Sequence, residues 1–392
     1  MSLTSVFTDI ADAIRSKNGS SDTYTPAQMP QAIQDIPTGG GGIDWEKFEA
    51  DDGKTRMLFE IPYDGTDVSF TLYLPSSSPA AIDWGDGTTE EYPAGSTSIA
   101  LTHTYATVGE YIFEMSNGDL DPGEYINNLY FSFPAISSSG DPTVAYITAL
   151  CIGRNCRYQD TNLPTYIRRL TVWLGRGDIS ISSNTPHLLY VKIQTTGGGT
   201  GNPTVSGVPG LNHLEYNDTS HKFPGITGSM LREIQIPDGT TYLQIMENNP
   251  ALLKLTIPDT ITEYGSALRF RWDYCLEDLV LPTAVTTAPT SFCQADVALK
   301  RIYFKGDITS IKSQAFYGCS GADAMIFSAN TAVPTLENFN AFTNSSFKPT
   351  AAHRGYIYVP DELVEDWKVA TNWTTVADSI KPLSELPAEY QL

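Results

Sequence analysis

The heptad "LREIQIP" (Leu231–Pro237) returns as "LLKLTIP" (Leu252–Pro258), as "LEDLVLP" (Leu276–Pro282) and as "LKRIYFK" (Leu299–Lys305). Its template is L-x-x-L-x-L-x. Upstream the same template finds "INNLYFS" (126–132), "ITALCIG" (147–153), "IRRLTVW" (167–173), "LLYVKIQ" (188–194) and "LNHLEYN" (211–217). Downstream it finds "ADAMIFS" (322–328) and "RGYIYVP" (354–360). The eleven units follow one another at steps of 20 to 24 residues, with a last step of 32. A period of this size marks stacked supersecondary units. Each unit supplies one short strand whose first, fourth and sixth residues face inward. No unit can bury that face alone, so the units must stack into a solenoid.

The segment before the repeats has a different texture. "MLFEIPY", "VSFTLYLP", "AIDWGDGTTEEY", "SIALTHTY" and "YIFEMS" are short alternating runs separated by turn residues. That pattern predicts an antiparallel sandwich over residues 43–118. Residues 1–42 differ again. Phe7, Ile10 and Ile14 recur at helical spacing, and Met29, Ile33 and Ile36 give a second short apolar stripe. Asn18-Gly19 ends the first helix, and Thr25-Pro26 starts the second. Two helices of this size bury no core of their own. The six apolar residues are therefore expected to dock on something else. Gly39–Gly42 then form a joint.

The sequence thus predicts a mainly β chain. Short helices and a glycine linker occupy 1–42, a β-sandwich 43–118, the solenoid 119–353, and a last repeat with a helical cap 354–392. In the cap, Trp367 and Trp373 are expected to cover the open end of the stack.

Charge excludes some partners. The net charge is −21, and residues 43–118 alone carry 14 acidic against 3 basic side chains. A field of this sign disfavours nucleic acid and anionic membrane. No stretch approaches a transmembrane span, so membrane insertion is not expected, and no signal peptide is visible. The five cysteines, Cys151, Cys156, Cys275, Cys293 and Cys319, are scattered. They read as small buried hydrophobes, not a disulfide framework or a zinc site.

Chemistry-bearing motifs are missing. His103, His187, His213, His221 and His353 stand in no H-E-x-x-H or H-x-H phrase. No G-x-S-x-G occurs. "TTGGGTGNP" (195–203) lacks the lysine of a phosphate loop. Asp83 and Asp86 lack calcium-loop spacing and read as turn residues. Glu90 and Glu91 alternate across a strand and cannot flank one substrate. Neither an enzyme, nor a cofactor, nor a metal site is expected. Binding is the natural use of a solenoid surface. The outward template positions include Arg168, Arg169, His213, Arg232, Arg301 and Tyr303, and arginine with tyrosine suits saccharide or protein contact. "LRFRWDY" (268–274) places Arg269, Arg271 and Trp272 on another face.

Three resemblances add to this reading. Ala315-Phe316-Tyr317-Gly318-Cys319 resembles the A-F-x-x-C phrase of BspA-type leucine-rich repeats, which implies that Phe316 and Cys319 pack behind the strands. Asp83-Trp84-Gly85-Asp86-Gly87-Thr88, with His103-Thr104-Tyr105 and Gly109-Glu110-Tyr111, resembles the PKD-type immunoglobulin-like domain. Ile10 to Lys17 with Gly19, then Tyr24 to Pro26, Met29 and Ile33, resembles an amino-terminal module of bacteriophage virion proteins. That last resemblance implies a tail-fibre, baseplate or decoration component, docked to other virion proteins through residues 1–42 and released by lysis. It implies a homo-oligomer whose repeats meet a host-envelope glycan or surface protein. The alternative is a bacterial cell-surface adhesin or interaction protein built on the same repeats.

Overall fold

The computed structural model describes residues 43–73, 79–93, 99–117, 130–132, 146–153, 163–174, 180–181, 185–195, 204–217, 222–348 and 351–392, with Thr8, Ala11 and Thr25. The apolar stripe of Phe7, Ile10, Ile14, Met29, Ile33 and Ile36 lies outside these residues.

The mainly β class and the repeat solenoid are both observed. A short helix, α1 (Trp45–Phe48), is capped by Asp44, whose carboxylate accepts the Lys47 N–H at 3.0 Å. Eight strands follow: β1 (Thr55–Ile61), β2 (Thr66–Tyr73), β3 (Ala80–Asp83), β4 (Thr89–Tyr92), β5 (Ile99–Tyr105), β6 (Gly109–Asn117), β7 (Tyr130–Ser132) and β8 (Ile147–Ile152). β1, β6, β3 and β4 form one antiparallel layer, and β5, β2 and β7 form the other. Phe59, Phe70, Trp84, Tyr105 and Phe113 meet between them with ring centroids 5.1–6.5 Å apart. The Tyr105 hydroxyl donates to the Trp84 carbonyl at 2.9 Å, which pins the strand end to the turn. At that turn Asp83 accepts the Gly85 N–H, and Asp86 accepts the Thr88 N–H and pairs with His103 at 2.8 Å.

The sandwich does not stop where the repeats begin. β1 pairs antiparallel with β6 on one edge and with β8 on the other. β8 then starts the parallel stack, through Arg169–Leu174, Tyr190–Thr195 and His213–Asn217. One eight-stranded sheet therefore runs from sandwich to solenoid. Gly153 makes the junction possible: a Cβ there would stand 2.4 Å from the Lys54 carbonyl oxygen. One expectation is corrected here. "INNLYFS" (126–132) is not the first coil; its strand β7 pairs antiparallel with β2, in the register Leu72 to Phe131. A period-matched apolar phrase reads the same in either setting.

The later strands, Glu233–Gln235 to Lys254–Thr256 and then Asp278–Leu281, Arg301–Phe304, Ala324–Phe327, Tyr356–Val359 and Ile380–Pro382, continue in parallel. The inward template positions obey the pattern: Leu231, Ile234, Ile236, Leu276, Leu279 and Leu281 are all buried. They join a core that is continuous from Met57 to Ile380. Two further rows run along the coils. Behind the strands a buried polar ladder links coil to coil. Asn249 Oδ1 accepts from the Ser229 N–H and hydroxyl, Asp273 Oδ1 accepts the Asn249 N–H at 2.7 Å, and Asp296 Oδ1 accepts the Asp273 N–H at 2.9 Å. Cys319 takes the next place in sequence and donates to the Cys293 carbonyl. Just before each ladder residue the backbone turns through positive φ, at Gly228, Asn248, Trp272, Ala295 and Gly318.

A short helix, α2 (Val364–Val369), closes the far end. Trp367 and Trp373 are fully buried against Phe327, 4.5 Å apart between centroids.

Candidate binding surface

The outer side of the strand sheet is covered at both ends. At the first coils, Phe48 of α1 packs on Leu58, Ala149 and Cys151. Glu49 follows, almost fully buried, and holds Arg169 at 2.5 Å and Lys192 at 3.1 Å. Arg169 also lies over the rings of Trp45 and Tyr190, its guanidinium carbon 3.6 Å from the Tyr190 centroid. Tyr190 stacks on His213 at 4.8 Å with 7° between planes. Burial raises the Tyr190 hydroxyl, and its hydrogen bond to Glu215 adds to the rise. For Glu215 burial pulls the other way, but the Tyr190 and His213 hydrogen bonds prevail and hold the carboxyl below its usual range.

At the last coils the chain end folds back. Leu383, Leu386 and Tyr390 cover Ala324, Ile326 and Tyr358, and Tyr303 packs into the same cluster. Arg301 forks onto Asp278 at 2.7 and 2.6 Å and donates to the carbonyls of Tyr390 and Gln391. The Asp278 hydrogen bonds raise its guanidinium further above the usual range.

Arg168, Arg169 and His213 therefore gather near the sandwich, with Arg168 reaching Glu60 at 3.7 Å. Arg301 and Tyr303 gather under the chain end. The two groups are separated by the coils of Glu233 and Lys254, which pair at 2.6 Å. Arg232 lies exposed between them. The open part of the strand face is thus the middle, where Glu233, Gln235, Lys254 and Thr256 point outward. The spacing of the repeats could place these residues in rows. It could not show that Glu49 and the carboxy-terminal carbonyls lie on two of the arginines, because those contacts join positions 120 and 90 residues apart.

No group of three or more His, Cys, Asp or Glu side chains that could hold a metal ion occurs among the described residues. None of their helices is long and apolar enough to cross a membrane. Cys151, Cys293 and Cys319 are buried free thiols; Cys275 is half-exposed, which corrects its reading as a buried hydrophobe, and Cys156 lies outside the described residues.

Residues 221–323 match the BspA type leucine-rich repeat region, in six copies. The match includes the ladder residues Asn249, Asp273, Asp296 and Cys319. No curated protein matches the chain. Among solved structures, a leucine-rich cell surface protein from Faecalibacterium prausnitzii A2-165 is similar at 15% identity and a TM-score of 0.28, over 57% of this chain and 69% of that one. A leucine-rich repeat protein from Bacteroides ovatus ATCC 8483 is similar at 10% identity and a TM-score of 0.39, over 60% of this chain and 66% of that one. A leucine-rich-repeat solenoid is typically a binding or interaction scaffold.

Proposed function

We propose that this chain is a non-catalytic attachment protein, whose solenoid presents side chains to a bacterial envelope glycan or surface protein. The observation that supports this best is the run of BspA-type repeats itself, wound on a continuous core that fixes rows of polar side chains at regular spacing. The repeats favour the setting of a cell-surface adhesin or interaction protein. A second setting rests on the resemblance of Ile10–Ile33 to the phage module: a virion component, docked through Phe7, Ile10, Ile14, Met29, Ile33 and Ile36, and oligomeric on the particle. Both settings share the same binding role.

The test uses the full chain, fluorescently labelled, on a panel of bacterial strains. Saturable attachment to some strains, abolished by excess unlabelled protein, is the expected result. No saturable attachment to any strain would overturn the reading. Antibody labelling in electron microscopy separates the settings: label on producing cells supports the adhesin, and label on purified particles supports the virion component.

A further inference from the structure

We propose that the corner of the coil around Arg269, Arg271 and Trp272 is a binding site for an acidic saccharide, a sugar ring carrying a carboxylate or phosphate. This deepens the attachment reading and rests on it.

The first observation is backbone geometry. The residue before each ladder position has positive φ, a conformation that suits glycine and asparagine. Gly228, Asn248 and Gly318 meet that need, but Trp272 holds φ +64 there. A bulky aromatic is disfavoured at such a position, and backbone strain of this kind clusters at functional sites. The neighbours of Trp272 in the same row, Asn248 and Ala295, are small. The indole is therefore half-exposed instead of buried beneath an adjoining coil.

The second observation is charge. Arg269 and Arg271 both donate through Nε to one oxygen of Glu247, at 3.0 and 2.6 Å. Two guanidinium groups share one carboxylate, which leaves a net positive point on a chain of charge −21. The Arg271 guanidinium carbon lies 4.1 Å from the centroid of the Trp272 ring. The guanidinium lies over one face of the indole, so the platform for a sugar ring is the opposite face, and guanidinium matches carboxylate and phosphate geometry.

A third observation is the surroundings. The Asn248 N–H bonds to the Arg271 carbonyl, the Trp272 N–H to that of Gln294, and the Ala295 N–H to that of Tyr317. On the other side Thr227 pairs with Glu247. Thr227, Glu247, Arg271, Gln294 and Tyr317 therefore follow one another, one per coil, about 5 Å apart. Every member can hydrogen-bond a hydroxyl group, so further sugar units could lie along the stripe.

The experiment prints uronate-, sialate- and phosphate-bearing oligosaccharides beside neutral counterparts and applies the full chain. Binding of acidic members over neutral ones is expected, and it should weaken as salt rises. The tightest member is then titrated by calorimetry. Trp272→Gly should bind at least about tenfold more weakly, with a melting temperature equal to or above that of the native chain, because glycine relieves the positive φ. A purely structural tryptophan would lower the melting temperature instead. Arg269→Gln with Arg271→Gln should abolish the acidic preference, and Glu247→Gln should strengthen it. No acidic binding on the panel, or unchanged affinity in Trp272→Gly, would overturn the site. If Trp272→Gly still attaches to cells like the native chain, the site is wrong and the attachment reading stands. If the native chain attaches to no cells, the attachment reading itself fails.

Discussion

Replacing Asp296 with asparagine should stabilise this protein at neutral pH, although most changes to a buried residue cost stability. Asp296 is fully buried. Its Oδ1 accepts the Asp273 N–H, and its Oδ2 is buried with no partner. Burial pushes its carboxyl well above the usual range, against the backbone hydrogen bonds from Asp273 and Trp272. Asp273 is pushed up by its own burial and then by Asp296. The native state thus keeps protons that the unfolded chain releases above about pH 3.9. Stability is fully present below that pH and is lost as pH rises toward the native pKa. The loss is about 1.4 kcal/mol per pH unit for each carboxyl held neutral. Asparagine keeps the shape and the Oδ1 acceptor and has no proton to lose. Its amide carries one N–H more than the neutral acid has O–H where Oδ2 has no partner, so the variant should lie about 1–3 kcal/mol below the native chain near pH 4 and gain on it by about 1.4 kcal/mol per pH unit above that, moving ahead by pH 7, until Asp296 ionises in the folded state. Urea unfolding from pH 4 to 7, with the slope of each transition checked for constancy, measures this directly. A native-to-variant difference that does not change with pH, or a variant less stable at pH 7, would refute the neutral-acid argument.

The same unfolding assay checks two further changes. Asn249→Ala strips bonds from the Ser229 N–H, the Ser229 hydroxyl and the Ile226 carbonyl, all buried; a loss of about 3 kcal/mol or more is expected, and a loss below about 1 kcal/mol would deny the ladder its role. Ala295→Gly relieves a φ of +65; about 1–2 kcal/mol of strain set against about 0.5–1 kcal/mol of added chain entropy predicts a small gain, and a loss would contradict it. Burial raises the Cys293 and Cys319 thiols well above their usual range and that of Cys151 to about 12. These three should resist a thiol reagent at pH 8 while half-exposed Cys275 reacts, as peptide mapping of the labelled native protein would show.

The repeat strands were legible because burial at the first, fourth and sixth positions leaves a period that sequence displays directly. Trp84, Tyr105 and the Asp86 turn were legible for a similar reason, since turn chemistry is local. The ladder was harder. Its members are Ser229, Asn249, Asp273, Asp296 and Cys319, so no single letter marks the row, and its two acids would ordinarily be assigned to solvent. The row of positive φ is disguised in the same way by Trp272 and Ala295. Arg169 and Arg301 stood at outward positions as the template required. Their partners, Glu49 and the carbonyls of Tyr390 and Gln391, arrive from the chain's other segments, and a period cannot encode that. The role of "INNLYFS" was decided by pairing with β2, which depends on tertiary context.

The strand β1, bonded to β6 on one side and to β8 on the other, bears on how such proteins can be recombined. A crossover placed between sandwich and repeats would leave two raw sheet edges, each a template for unwanted pairing with a stranger's strand. Exchange of a new recognition region would succeed only if the incoming first coil brought a strand in register with Arg56, Met57, Leu58 and Phe59, and a glycine where Gly153 passes under Lys54. Strands β1, β6 and β8 would then behave as a fixed adaptor, and variation would be free to accumulate only in the coils beyond it.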